Sequence, residues 1–353
     1  MKILKFLLLI CLFHIVFTGC AAVEPVYTEV SSETTEIVTV KFAPTESKQT
    51  MPAVIEPAAT VRIVSETVQT TECITPELTL VETTTAEPTS TESAEAEPAS
   101  VMVPILMFHD VKTYAGGTWS ISADNFRKRM EFLLENGYTP VAFEQLVDYV
   151  DGVVTLPEKP VCITFDDGYY SNYKHVLPII TELNIPITVF VIGSVVRPDG
   201  VAPDPNEDAL SIMNTAEISF MEASPLVWIQ PHTYGLHVAG YGDGKQRGNV
   251  LPLQSEDASA YKKMFSEDCA LTEAVLANAG VAEYTVFSYP GGVHHRWAEE
   301  VLRERGYRVT LTTDAGHRNL VVAGNPESLF MLGRMNVNDE TTDKDLLRYL
   351  TRK

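Results

Sequence analysis

Cysteine, basic residues and long apolar runs are all scarce in this 353-residue chain. The five cysteines are Cys11, Cys20, Cys73, Cys162 and Cys269, and no two have the spacing of a metal knuckle or a disulfide framework. Thiolate metal chemistry is thereby excluded, and a bridge between Cys162 and Cys269 has nothing to support it. Lysine and arginine number 26 against 47 acidic residues, for a net charge of −21. A chain of that sign repels phosphate backbones, which excludes nucleic acid as a partner. The apolar run that opens the chain, residues 6–17, contains His14 and is shorter than the roughly 20 residues a membrane-spanning helix needs. Residues 21–100 have no glycine and no aspartate, and only Tyr27 and Phe42 as aromatics.

What these regions do contain is equally informative. Lys2 and Lys5 precede the short apolar run, the arrangement of an export signal. Phe17-Thr18-Gly19-Cys20 closes it in the pattern at which a cysteine is lipidated and the leader is cut just before it. Thr18 and Gly19 fit that pattern; Phe17 departs from it, since leucine is usual there. Residues 1–19 are therefore expected to be a lipoprotein signal peptide. Lipid on Cys20 would anchor the chain on the extracellular face of the cell membrane; without lipid the chain would be secreted. Residues 20–100 are rich in Thr, Glu, Pro, Ala and Ser, with 14 glutamates against Lys41, Lys48 and Arg62. Such a segment buries too little apolar surface to offset the entropy of ordering, so a disordered stalk is expected.

Residues 101–353 suffice for one large α/β domain. Strands are expected over 101–108, 161–165, 187–192, from 227, and over 284–289, 307–312 and 330–334. Helices are expected over 122–135, 143–150, 173–183, 214–222, 257–279, 297–304 and 342–349. About seven βα units imply a distorted or incomplete (β/α) barrel, in which chemistry sits where strands end and loops begin. The polar residues follow that rule. His109-Asp110 follows VPILMF, Asp166-Asp167 follows VCITF, His232 follows LVWIQP, and Tyr289-Pro290-Gly291-Gly292 ends TVFS.

Side chains alternate along a strand, so adjacent Asp166 and Asp167 face apart and suit two jobs, a metal ligand and a base. The competing structural reading makes both of them caps of the helix that follows. His232 and His237 are five apart, where helical ligands would be three or four apart, so HTYGLH is expected to be a loop. Two imidazoles and one carboxylate make an open site for zinc or a similar ion, with positions left for water.

TFDDGYYSNY from Thr164, HTYGLH from His232 and SYPGG from Ser288 resemble the polysaccharide deacetylase (NodB-homology, carbohydrate esterase) superfamily, and within it the poly-N-acetylglucosamine deacetylase-like branch. The likeness extends across 101–353, from VPILMFHDV to LGRMNVNDETT. It implies that Asp166 is the catalytic base and that Asp167, His232 and His237 hold a divalent metal: zinc, or else cobalt, nickel or iron. His109, in LMFHD, stands in for the acid that most members supply from a Leu-x-His-Asp motif near the end. Tyr289, Pro290 and Gly291 are implied at the oxyanion, with a Gly291 backbone N–H as donor. Two positions depart from the common pattern: Ser288, where many members carry arginine, and Gly291, where an aromatic is usual. The implied reaction is metal-dependent removal of N-acetyl groups from an extracellular polysaccharide containing N-acetylglucosamine.

Tyr169 and Tyr234 flank these motifs as candidate sugar contacts, and Arg247, in the glycine-rich GYGDGKQRGN, as a further contact or lid residue. His294 and His295 read as capping or surface residues. Two rival readings stay open. A non-catalytic glycan-binding protein of the cell surface would have lost a ligand or the base, and none is lost; an amidohydrolase acting on another amide would keep the site with a different cleft.

Overall fold

The computed structural model describes residues 99–114, 116–206, 210–237 and 247–352; the expected leader, Cys20 and almost all of the expected stalk lie outside them. The chain runs β1 (Ser100–Met102), β2 (Ile105–Phe108), β3 (Asp110–Lys112), β4 (Ser120–Ser122), α1 (Ala123–Glu135), β5 (Thr139–Pro140), α2 (Phe143–Val150) and β6 (Pro160–Phe165). It continues α3 (Leu177–Leu183), β7 (Ile187–Val191), α4 (Thr215–Glu222), β8 (Val227–Pro231), α5 (Ala258–Asn278) and β9 (Val286–Ser288). The last elements are α6 (Arg296–Glu304), β10 (Val309–Leu311), β11 (Leu320–Val322), β12 (Met335–Asn336) and α7 (Asp343–Leu350).

β12, β2, β6, β7 and β8 pair in that order, all parallel, and β9 pairs parallel with β10. Every residue of β2, β6 and β7 is buried, as expected of strands covered on both faces. The pleat divides them. Val161, Ile163 and Phe165 join the core under α1, α3, α4 and α7. Cys162 points the other way, among Ile105, Phe190, Val286, Val309 and Leu311. Cys162 and Cys269 are both free.

The barrel is incomplete. Backbone pairing lapses between β8 and β9, and a side chain spans the gap: Gln230 Oε1 accepts from the N–H groups of Thr285 and Val286 at 2.9 Å, while its amide nitrogen donates to the Glu283 carbonyl at 3.0 Å. A buried glutamine satisfied on both ends does the work of a missing ladder. Beyond β10, Leu332 alone bridges Leu311, and Met335 then pairs with Leu106.

Two strands differ from expectation. The run 101–108 is cut at Pro104, which has no N–H to donate: β1 pairs antiparallel with β11, and only β2 enters the parallel sheet. The strand expected over 330–334 is reduced to the Leu332 bridge. Met331 has φ 62, and Gly333 packs so tightly that a Cβ would lie 2.0 Å from the Asp314 carbonyl oxygen. The helix expected over 173–183 begins as a π-helical turn, Asn172–Val176, before α3. Ser122 Oγ caps α1 by accepting from Asn125 N, and Asn214 forms a reciprocal box with Glu217 at the start of α4.

Candidate active site

Asp166 and Asp167 follow β6 at a left-handed turn, and both come near His232 Nε2, Asp166 Oδ2 at 3.7 Å and Asp167 Oδ1 at 3.6 Å. Asp167 has φ 72 and Gly168 φ 77, where a Cβ would lie 3.1 Å from the Val191 side chain. A non-glycine residue at positive φ is held there by its surroundings at some cost, and such strain collects at functional sites. The capping reading of the pair is not what forms: the π-helical turn that follows has Ser171 at its N-cap.

Asp167 faces two imidazoles. Its Oδ1 lies 3.4 Å from His237 Nε2 and 3.6 Å from His232 Nε2, and the three ligand atoms lie within 4.8 Å of one another. That oxygen is buried and accepts no hydrogen bond. Metal bonds of about 2.1 Å at tetrahedral angles place neighbouring ligand atoms about 3.4 Å apart, so these donors fit a divalent ion. The tautomer fits as well. His232 Nδ1 is 2.8 Å from the Ser288 carbonyl, which can only accept, so Nδ1 carries the proton and Nε2 keeps its lone pair. Burial holds the His232 pKa below the ordinary imidazole value, against the pull of Asp166 and Asp167. HTYGLH is a loop, as its five-residue spacing predicts. It is braced by buried Asp268 of α5, whose carboxylate accepts from Tyr234 N at 2.8 Å and Gly235 N at 2.9 Å.

Asp166 has a different partner. Arg334, fully buried, donates to both of its carboxylate oxygens at 2.7 Å. The same guanidinium reaches Thr164 Oγ1 (3.1 Å), Ser288 Oγ (2.8 Å) and the Thr312 carbonyl (3.2 Å). Burial alone would raise the Asp166 pKa; the charge and hydrogen bonds of Arg334, with His232, outweigh it and hold the carboxyl well below the usual range. Arg334 thus supplies, from far along the chain, a guanidinium beside the position where Ser288 replaces the expected arginine.

His109 lines the same cleft, of about 620 Å³, with Asp166, Asp167, Tyr169, Trp119, Leu210, His237 and Gly291. Its Nδ1 is buried without a partner, and burial lowers its pKa against the pull of both aspartates. A more open stretch of ≈ 570 Å³ continues past His237, lined by Val195, Arg197 and Leu210. Tyr289 is buried, its hydroxyl donating to Glu299 at 2.8 Å. Gly291 is exposed at φ 58 on the turn after Pro290.

Other candidates have other duties. Tyr234 lies against Gly193, where a Cβ would sit 2.9 Å from Cδ2. Arg247 donates to both Glu256 oxygens at 2.5 Å and stacks over Tyr261, which ties it to the segment leading into α5 and to α5 itself. His295 caps α6 by accepting from Trp297 N. Sequence reasoning missed Arg334, Trp119 and Asp268. The one available signal was a lone arginine in the run LFMLGRM.

A family model described as polysaccharide deacetylase matches residues 154–310, a stretch that leaves out His109 and Arg334. The chain is 28% identical over 249 residues to the poly-beta-1,6-N-acetyl-D-glucosamine N-deacetylase of Escherichia coli strain K12, a match covering 63% of this chain and 36% of that protein. It thus spans about a third of that relative's length. The structure of IcaB from Ammonifex degensii matches with TM-score 0.57 and 26% identity, covering 71% of this chain and 98% of that one. A de-N-acetylase from Aggregatibacter actinomycetemcomitans matches with TM-score 0.60 over 70% of this chain and 99% of that one; at 23% identity it speaks for the fold alone.

Proposed function

We propose that this chain, of which residues 154–310 match the polysaccharide deacetylase family, is a metal-dependent hydrolase that removes N-acetyl groups from an extracellular polysaccharide containing N-acetylglucosamine. The observation that carries this reading is the division of labour between adjacent carboxylates. Asp166 is committed to Arg334, and Asp167, whose Oδ1 accepts nothing, faces two imidazoles.

Asp167, His232 and His237 would hold a divalent ion, zinc being favoured by the donor set, and such an ion would supply carbonyl polarisation and a water of lowered pKa. Asp166 stays ionised beside Arg334 and takes the proton of the attacking water. His109, across the cleft, hands a proton to the sugar nitrogen as the C–N bond breaks. The Gly291 peptide lines the cleft, and its N–H is assigned to the carbonyl oxygen as charge builds there. Acetate and a cationic sugar result. A cleft that runs past the metal ligands in both directions supports an elongated substrate over a small amide.

Acetate release by the purified full chain, assayed on N-acetylglucosamine oligomers, poly-N-acetylglucosamine, chitin fragments and peptidoglycan glycan, tests the reading and ranks the polymers. The expected result is release that a chelator stops and that Asp166→Asn lacks. A folded, metal-loaded protein that releases acetate from none of them overturns it.

A further inference from the structure

Trp119 is 57% exposed, and it lines the cleft that holds His109, Asp166 and Asp167. Its indole centroid lies 4.9 Å from the His109 ring at an interplanar angle of 62°. An exposed indole is ordinarily free to move; this one sits on a fixed backbone. β3 and β4 pair on either side of its loop, and Asp110 N donates to the Trp119 carbonyl at 3.3 Å. The Thr118 carbonyl accepts from the side-chain amides of Asn336 (3.0 Å) and Asn338 (3.2 Å). The Asp339 carboxylate gathers the rest, accepting from Gly116 N, Ser122 N, Ser122 Oγ (2.9 Å) and Asn125 Nδ2 (2.7 Å). A single C-terminal segment, 336–339, therefore holds the described residues 116–122 on both sides of the tryptophan.

We propose that Trp119 is the stacking platform for the sugar ring whose nitrogen is released, and that the 336–339 segment is the brace that sets it. The inference rests on the deacetylase reading for the position of His109 as proton donor. The leaving nitrogen is bonded directly to the sugar ring, so a ring whose nitrogen meets His109 lies within reach of an indole next to it. An aromatic face offers a rigid, apolar surface to the C–H face of a pyranose at little conformational cost. Trp119 thus selects for a hexosamine unit over an acetylated group that lacks a ring.

Two measurements on the metal-loaded full chain test it. In steady-state assays on an N-acetylglucosamine hexamer, Trp119→Ala raises KM about tenfold or more with a smaller change in kcat, and Trp119→Phe restores most of the loss. In an Asp166→Asn background, titration with the hexamer quenches or shifts the tryptophan emission, and Trp119→Phe removes that response; Trp228 and Trp297 are half-buried. A kcat loss in Trp119→Ala with unchanged KM assigns the indole to bracing His109 and overturns the proposal. So does acetate release without a Trp119-dependent fluorescence change. A protein that releases no acetate yet shows that change keeps the platform and loses the deacetylase reading.

Discussion

Replacing Arg334 by methionine removes the partner of a buried carboxylate while filling most of the same volume. Arg334 is fully buried and makes two bonds to Asp166 and one each to Thr164, Ser288 and Thr312. Breaking one side of such a pair costs about 3–5 kcal/mol, because the other charge is left uncompensated. For a domain of this size that lowers the unfolding midpoint by on the order of 10 °C. In the native chain the Asp166 pKa is held below its unfolded value of about 4, so this carboxylate contributes stability above that pH and loses it as pH falls through the folded value. Without Arg334, burial dominates and the folded pKa rises above the unfolded one. The variant is then least stable at neutral pH and recovers on acidification toward about pH 5. Urea unfolding of metal-free protein between pH 5 and 8 reads both effects, and the Asp166→Asn/Arg334→Met double variant should regain most of the loss. In the metal-loaded enzyme the acid limb of kcat should move upward as Asp166 becomes harder to ionise. A cost below about 1 kcal/mol, or an acid limb that stays in place, refutes the role given to this pair.

Asp268→Ala frees the Tyr234 and Gly235 N–H groups that shape the histidine loop, and should weaken metal binding about 10–100-fold in competition with a chromogenic chelator. Asp268→Asn, which keeps one acceptor oxygen, should fall between. His109→Gln should lower kcat by about 10²–10⁴ with KM little changed. The alkaline limb of the kcat profile should vanish with it, since His109 acts protonated and loses that form as pH rises. Cys20→Ala should abolish incorporation of labelled fatty acid and release the protein into the medium; label that persists would remove Cys20 as the lipidated residue.

Most of the candidate site was legible because its residues sit where strand-end rules put them. Asp166, Asp167, His109 and His232 each follow an apolar run within one or two residues, and local pattern suffices to find them. Arg334 was not, because its role exists only across the 168 residues that separate it from Asp166. Locally, LFMLGRM reads as a strand, and only the left-handed Met331 and the tightly packed Gly333 turn it into a segment that sends a guanidinium inward. Trp119 was hidden for the opposite reason: a glycine-rich loop carries no signal of rigidity, and its brace comes from Asn336, Asn338 and Asp339 at the far end of the domain. Tyr234 and Arg247 were singled out for their neighbours in sequence. The fold spent the Tyr234 peptide on Asp268 and the Arg247 side chain on Glu256. The incomplete barrel could be expected from the number of units, but its seam, held by Gln230 and by the His232 bond to Ser288, could not.

Whether Asp166 works beside a metal held by Asp167, His232 and His237 is read by stripping the purified chain of metal and following acetate release from an N-acetylglucosamine oligomer as zinc is returned. The expected result is no release from the stripped protein, recovery that saturates at one ion per chain, and no recovery in Asp166→Asn although that variant binds the ion normally. Release by the stripped protein, or full turnover by metal-loaded Asp166→Asn, contradicts it.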